Sequence, residues 1–138
     1  MARRVVSLCP SITETLVAIG GLRRLVAATR YCVRPKGMLW GLPRIGGTKD
    51  PDVARILALK PDLVFANQEE NRIEDVRALQ EAGVAVDVTF PRTVAEVPAS
   101  INFSSFSRNH ASSRPLRISS LSHAIGAFYC LRFVVLTW

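Results

Sequence analysis

The chain has 138 residues, of which 49% are apolar and 21% are charged, a composition typical of one soluble globular domain and not of a disordered chain. The net charge of +7 is uneven: residues 1–100 carry 14 basic and 11 acidic side chains, and residues 101–138 carry four basic and no acidic ones. Because much of the excess lies in the second segment, we do not interpret it as a nucleic-acid-binding surface of the folded part.

The cysteine count and the lengths of the apolar runs also indicate the cellular location of the protein. Three cysteines are too few and too scattered for a disulfide framework or a zinc site, so each is predicted to be a small buried residue. No stretch reaches the roughly 18 uncharged apolar residues needed to span a membrane. The apolar run after residues 1–4 is too short for a secretory signal. The sequence as written therefore predicts a cytoplasmic protein without a membrane span.

The first predicted unit is a short apolar strand over residues 4–9 followed by a helix. Ser11 and Glu14 have the spacing of a capping box, in which hydroxyl and carboxylate satisfy free backbone donors. Apolar residues then recur at helical spacing as far as Gly20-Gly21, which is predicted to end the helix.

The second predicted unit is a strand over residues 25–29 with a long loop behind it. The loop, residues 30–44, is rich in proline, glycine and basic side chains, and Ile45 is predicted to lie on a brief strand. Asp50 and Pro51 are predicted to begin the next helix, as its cap and first residue. The buried stripe of that helix should be Val53, Ile56 and Leu57.

The third predicted unit begins after Pro61, with a strand over residues 62–66. Asn71 is predicted to cap the following helix, with Glu74 three residues later, and Gly83 to end it. The inward positions of this helix should be Ile73, Val76, Leu79 and Ala82. The next strand should be the alternating series Val84, Val86, Val88 and Phe90, and the next capping box Thr93 and Glu96.

Strands that alternate with helices over short links predict an α/β fold, a parallel sheet flanked by helices. Right-handed crossovers bring each helix N-terminus to the carboxyl edge of the sheet. Ligands bind at that edge in open α/β sheets. The four predicted helix starts, Ser11, Asp50, Asn71 and Thr93, should therefore line one border.

The pattern fails after Ser100. Eight serines fall in residues 101–138 against three in the first hundred, and the acidic residues vanish. We therefore expect two parts, an α/β lobe over 1–100 and an irregular tail over 101–138. The tail is interpreted either as a disordered polar segment or as the product of a frameshift.

Several segments in a fixed order resemble a known family. They are R-V-V-S-L-C-P-S-I-T-E-T at 4–15, T-R-Y-C at 29–32, R-I-G-G-T-K-D-P at 44–51, R-I-L-A-L-K-P-D-L-V at 55–64, E-E-N-R at 69–72 and P-R-T-V-A-E-V at 91–97. Over residues 1–100 the chain is similar to the N-terminal, Rossmann-like lobe of helical-backbone metal receptors. These are the periplasmic-binding-protein class of ABC importers that captures cobalamin, ferric siderophores or haem.

The resemblance implies a ligand held between two lobes at their carboxyl edges, with no cofactor required. A large amphipathic chelate suits an aromatic plane and backbone donors. Carried over by position, the ligand contacts would be Pro10, Ser11, Tyr31, Thr48, Asn67, Glu69, Glu70 and Asn71. Tyr31 could instead be packed at a strand end, and Glu69 and Glu70 could lie on a solvated loop. Thr48 stands where some members carry an aromatic residue.

The resemblance also bears on metals and partners. No metal site is predicted; Cys32 is the candidate for touching a bound metal, with a buried thiol as the alternative. Members of the family dock on a membrane permease, often through an acid just before the Arg of the A-L-K-P-D segment, and this chain has Ala54 there. Family members are often periplasmic or lipid-anchored, unlike the cytoplasmic location expected from the sequence as written.

Binding without catalysis is the leading functional hypothesis. No nucleophile–base set is recognisable, and the two histidines, His110 and His123, fall in the tail. The paired glycines fit neither a Walker loop nor a dinucleotide fingerprint. A fragment of a nucleotide-binding α/β enzyme, a basic nucleic-acid-binding module and an inactive truncated product are the alternatives.

Overall fold

Strands and helices alternate in the computed structural model, which describes residues 3–90. The elements are β1 (Val5–Ser7), α1 (Pro10–Ala18), β2 (Leu25–Ala28), α2 (Val53–Ala58), β3 (Leu63–Asn67), α3 (Ile73–Glu81) and β4 (Ala85–Thr89). A 3₁₀ turn, Gly21–Arg24, leads into β2. The predicted capping box at Thr93, both histidines, Cys130 and the tail over 101–138 lie outside the described residues.

The four strands form one parallel sheet in the order β2-β1-β3-β4. The central strand β1 pairs on one side with β2 and on the other with β3, so that Val5 stands between Leu25 and Leu63. Burial on both faces explains why β3 begins with four apolar residues and why all three residues of β1 are buried. The predicted α/β fold, a parallel sheet flanked by helices, is confirmed.

Successive side chains along a strand point to opposite faces of the sheet. Val6 and Val64 belong to the core that lies under α2 and α3, whereas Ser7 bonds to Thr13 of α1. The core on the α2–α3 side consists of Val6, Leu8, Ala27, Ile45, Ile56, Val64, Ala66, Val76 and Leu79. No helix in residues 3–90 is long and apolar enough to cross a membrane.

The predicted capping box at Ser11 is wrong, because α1 begins one residue earlier. Pro10 lacks an N–H and has a fixed φ, which suits the first helical position, so Cys9 becomes the cap residue. The Ser11 hydroxyl lies inside the first turn and meets the Cys9 sulfur at 2.9 Å.

The predicted cap of α2 is also wrong by two residues. Asp52 caps the helix, since its carboxylate accepts a hydrogen bond of 2.9 Å from the Arg55 N–H. Pro51 is held before the helix by an isolated bridge to Gly46. Of the two aspartates around the proline, Asp50 is thus left free of the helix.

The inward face of α3 differs from the predicted stripe. Val76 and Leu79 are buried as expected, but Ile73 is 59% exposed and Ala82 is exposed, and Asp75 is buried in their place. Residues three apart fall about 60° short of a full helical turn. A row of four such positions therefore spirals about halfway round the helix, and its ends leave the core.

Candidate functional site

Four loops meet at the carboxyl edge of the sheet. Residues 8–11 follow β1, residues 29–32 follow β2, and residues 67–71 follow β3. The fourth loop, residues 46–50, follows Ile45, whose neighbour Arg44 forms a parallel bridge with Ala28 of β2. We call these four loops the carboxyl rim. Parallel strands deliver their ends to the same border, so the rim is a direct consequence of the topology.

Asn71 connects three of the four rim loops through its side-chain amide. Its Nδ2 donates to the Thr48 carbonyl at 2.8 Å and to the Leu8 carbonyl at 3.2 Å. Its Oδ1 accepts from the Asn67 N–H at 2.8 Å. The predicted helix-cap role of Asn71 is wrong, since Arg72 is the cap residue of α3. With only 6% of its surface exposed, Asn71 belongs to the framework of the rim.

Asn67 shapes the last rim loop from within. Its Oδ1 accepts hydrogen bonds from the backbone N–H of Glu69 at 2.9 Å and of Glu70 at 3.3 Å. Such an Asx turn fixes a tight loop without help from a ligand. Lys49 of the neighbouring loop donates to the Glu69 carbonyl at 2.5 Å.

Tyr31 is held at the rim by its neighbours. The Arg30 guanidinium lies over the Tyr31 ring, 5.2 Å from its centroid, and pairs with Asp50 at 3.2 Å. The Arg30 N–H donates to the Gly46 carbonyl at 2.8 Å. Tyr31 remains 51% exposed, so a positioned aromatic ring is presented to solvent beside the other rim loops.

Arg44 also stabilises the rim loop that carries Tyr31, residues 29–32. One guanidinium nitrogen, Nη1, donates to the Thr29 carbonyl at 3.1 Å and to the Cys32 carbonyl at 2.8 Å. These two bonds close the loop on both sides of Tyr31. The aromatic ring therefore projects from a backbone that is fixed before and after it.

A buried network of hydroxyls and thiols lies beneath the rim. Thr13 Oγ1 of α1 lies 2.9 Å from Ser7 Oγ and 3.0 Å from Cys32 Sγ, and Thr29 Oγ1 lies 3.2 Å from the same sulfur. In residues 3–90, every buried side-chain nitrogen and oxygen has a partner. The network joins α1 to the ends of β1 and β2, so the rim has a rigid base.

Cys9 has a strongly perturbed thiol. Burial and, to a smaller extent, the nearby Glu70 carboxylate raise its pKa to about 12, against the lowering effect of the hydrogen bond to Ser11. Cys32 is also buried. Within the described ranges no group of three or more histidine, cysteine or acidic side chains could hold a metal ion.

We expect the Cys9 thiol to be inert while the protein is folded. Its folded pKa of about 12 lies above the ordinary value of 9.0, so the folded state holds the proton more tightly. The resulting stabilisation is complete below pH 9 and is lost as the pH rises towards 12, by at most about 1.4 kcal/mol per pH unit. Urea unfolding between pH 8 and pH 11 should show a steeper alkaline loss in the native protein than in Cys9→Ala.

Alkylation by iodoacetamide gives the second readout for Cys9. Peptide mapping should find Cys9 unmodified in the folded protein at pH 8 and modified in urea, because only the thiolate reacts. Modification of folded Cys9 at the rate of a free thiol would contradict the predicted burial.

The structure brings the predicted contact residues to one border. Pro10, Ser11, Thr48, Asn67 and Glu70 are partly buried there, and Tyr31 and Glu69 are exposed. Their ligand-binding roles stay predictions. Sequence reasoning missed Arg30, Arg44 and Lys49, which brace the loops. The run of basic residues between β2 and α2 was visible, but nothing in it showed that three of its members would bond to the loops.

Comparison with known proteins identifies similar chains. A family model described as periplasmic binding protein matches residues 5–102. The vitamin B12-binding protein of Vibrio cholerae serotype O1 (strain ATCC 39315 / El Tor Inaba N16961) is 31% identical over 100 residues, which are 72% of this chain and 36% of that protein. The vitamin B12-binding protein of Yersinia pestis (strain Pestoides F) is 32% identical over 101 residues, 73% of this chain and 36% of that protein.

Solved structures show the same likeness. The periplasmic vitamin B12 binding protein BtuF of Vibrio cholerae superposes with a TM-score of 0.71 at 26% identity, over 98% of this chain and 49% of that one. A periplasmic heme binding protein from Pseudomonas aeruginosa gives a TM-score of 0.60 at 29% identity, over 64% and 32% of the two chains. The chain spans about a third of the length of the curated relatives it matches.

Proposed function

The chain belongs to the periplasmic binding protein family, and from that premise we propose that its carboxyl rim forms one wall of a non-catalytic binding site for a cobalamin- or haem-like metal chelate. The resemblance inferred from the sequence motifs is confirmed by the family match and by the B12- and heme-binding relatives. The proposed ligand class follows from the two ligands that those relatives' names give, vitamin B12 and heme. No cofactor is required, because the chelate is the cargo.

The observation that carries the proposal is the bracing of the exposed Tyr31 ring at the rim. Arg30 lies over the ring, and Arg44 fixes the backbone on both sides of it. A preformed aromatic plane suits a flat, partly apolar macrocycle, and a rigid site avoids the entropy cost of ordering loops on binding.

The remaining predicted contacts divide into two groups. Pro10, Ser11, Thr48, Glu69 and Glu70 are the proposed contacts around Tyr31. Asn67 and Asn71 have side-chain atoms engaged by backbone, so we propose that they act by shaping the loops.

We propose that residues 1–100 are one lobe and that 101–138 are not part of it. Relatives in this family close a second lobe over the ligand, as the resemblance implies. A single wall buries less of a drug-sized ligand than an enclosed pocket, so residues 1–100 by themselves should bind more weakly than two lobes that close around the ligand. The alternative of an inactive truncated product predicts no binding at all.

Delivery to an ABC permease is the proposed wider role. Ala54 stands on the exposed surface of α2, at the position where family members often carry an acid. We therefore expect the chain to engage a permease less strongly than members with a carboxylate there. The cytoplasmic location stays a prediction beside relatives described as periplasmic.

Titration of the full chain with cyanocobalamin and with hemin tests the proposal. We expect a saturable absorbance change with one of the two chelates. Tyr31→Ala should weaken that binding by about tenfold, since an aromatic stacking partner contributes on the order of 1 kcal/mol beyond the area it buries.

Tyr31→Phe is the matched control. It keeps the ring and loses only the hydroxyl, so affinity should stay close to that of the native protein. The absence of a saturable change with either chelate would overturn the proposed ligand class. Equal losses in Tyr31→Ala and Tyr31→Phe would overturn the stacking role.

A further inference from the structure

The charges of residues 15–90 are divided across the sheet of the described lobe. Every charged side chain between residues 15 and 49 is basic, seven in all, whereas residues 50–90 carry nine acidic and four basic ones. The first range supplies β2, at one edge of the sheet, and the second supplies β3 and β4, which reach the other edge. Such a charge distribution orients the β2 edge towards an anionic surface.

The long loop beyond Tyr31 also exposes large apolar side chains. Val33 is 59%, Met38 50% and Trp40 88% exposed. Val33 and Trp40 line one shallow depression of about 300 Å³, so they lie on the same side of the loop. Apolar side chains that cluster in this way on a protein surface mark a contact region.

Two basic residues lie between Val33 and Met38 in the sequence. Arg34 and Lys36 are exposed in the same loop, and neither has an ion pair among the described residues. The depression also has Arg44 at its wall. We call residues 33–44 the basic apolar loop.

We propose that the basic apolar loop docks on the surface of an anionic lipid bilayer. Trp40 would enter the headgroup region, where tryptophan side chains concentrate, and Arg34 and Lys36 would meet lipid phosphates. Three protruding apolar side chains are few for the core of a stable protein–protein interface. They suit shallow insertion, in which electrostatic attraction adds to a small buried apolar area.

Docking in this manner goes beyond binding of a chelate and needs no bound ligand. Tyr31 of the rim lies two residues before Val33, so a docked lobe would keep its rim close to the bilayer. A protein that loses vesicle binding can still be tested for cyanocobalamin or hemin binding, and the two outcomes are independent.

Co-sedimentation of the full chain with vesicles tests the docking. We expect binding to vesicles of phosphatidylcholine mixed with phosphatidylglycerol, weaker binding to phosphatidylcholine alone, and loss of binding as salt is raised. The double variant Arg34→Glu/Lys36→Glu should bind the mixed vesicles at least about tenfold less well, given the effect of each basic residue near an anionic surface.

Arg55→Glu/Arg77→Glu is the matched control, because it changes net charge equally through exposed helical residues of the acidic half. It should bind mixed vesicles within about twofold of the native protein. Equal losses in both double variants would assign the binding to net charge or to the basic tail and overturn the proposal.

Tryptophan fluorescence gives a positional readout. The chain has two tryptophans, so a Trp138→Phe background leaves Trp40 as the reporter. Its emission should shift to shorter wavelength with mixed vesicles, and Trp40→Ala should weaken sedimentation. An unshifted spectrum would overturn the proposal. So would concentration-dependent self-association that Arg34→Glu/Lys36→Glu abolishes, since the loop would then bind the acidic half of a second copy.

Discussion

Asn71→Leu should lower the free energy of unfolding by about 3–5 kcal/mol. The substitution keeps a side chain of similar size but removes all three hydrogen bonds that tie Leu8, Thr48 and Asn67 together. A buried group left without its partner costs about 1–3 kcal/mol. Because the lost bonds join three loops, we also expect the rim to lose its order and the chelate to bind more weakly.

Gln68→Leu is the control for this substitution. Gln68 is an exposed amide in the same loop, so its loss should change stability by less than about 0.5 kcal/mol. Urea unfolding followed by circular dichroism measures both variants, and hydrogen exchange at the Asn67 amide reports the loop directly. If Asn71→Leu and Gln68→Leu unfold at similar urea concentrations, the side chain of Asn71 does not hold the rim.

Asn71→Asp tests the hydrogen bonds that the Asn71 amide donates, because aspartate keeps the shape of the side chain. The carboxylate can still accept from the Asn67 N–H, but it cannot donate to the Leu8 and Thr48 carbonyls. It also places a charge beside two carbonyl oxygens. The aspartate variant should therefore be nearly as unstable as the leucine variant at neutral pH.

The strands could be predicted from the sequence because their signals are local. Residues 63–66 are a short apolar run between a proline and a polar loop, and the parallel sheet buries such runs on both faces. Gly20 and Gly83 likewise marked helix ends, and both adopt the positive φ that favours glycine there.

The details of the rim could not be predicted because its bonds span long stretches of sequence. Asn71 has the local pattern of a helix cap, but its amide bonds to Leu8, 63 residues away. Asp50 has the pattern of a cap before proline, but it pairs with Arg30 across the loop. In both cases a tertiary partner competes with the helix for the same side chain.

Gly46→Ala should destabilise the lobe by about 3–5 kcal/mol. Gly46 has a φ of +88°, and an added Cβ would stand 2.5 Å from the Asp50 carbonyl oxygen and 3.1 Å from the Asp52 nitrogen. The left-handed conformation alone costs an alanine about 1–2 kcal/mol. Backbone atoms cannot rotate away as side chains do, so relief of the clash requires the loop to move, and with it the bond from Arg30 that positions Tyr31.

Gly83→Ala and Gly47→Ala separate the backbone strain of an alanine at positive φ from the steric clash of its Cβ. Gly83 has a φ of +82° with nothing near an added Cβ, so its variant should lose only about 1–2 kcal/mol of strain. At Gly47 the Cβ would meet the Asp50 carboxylate, an exposed side chain that can swing away at the expense of its ion pair with Arg30, worth up to about 1 kcal/mol. Thermal or urea unfolding should therefore show that Gly46→Ala is the least stable of the three variants. Equal losses of stability in Gly46→Ala and Gly83→Ala would mean that the loop around Gly46 moves at little cost and does not fix the Tyr31 ring.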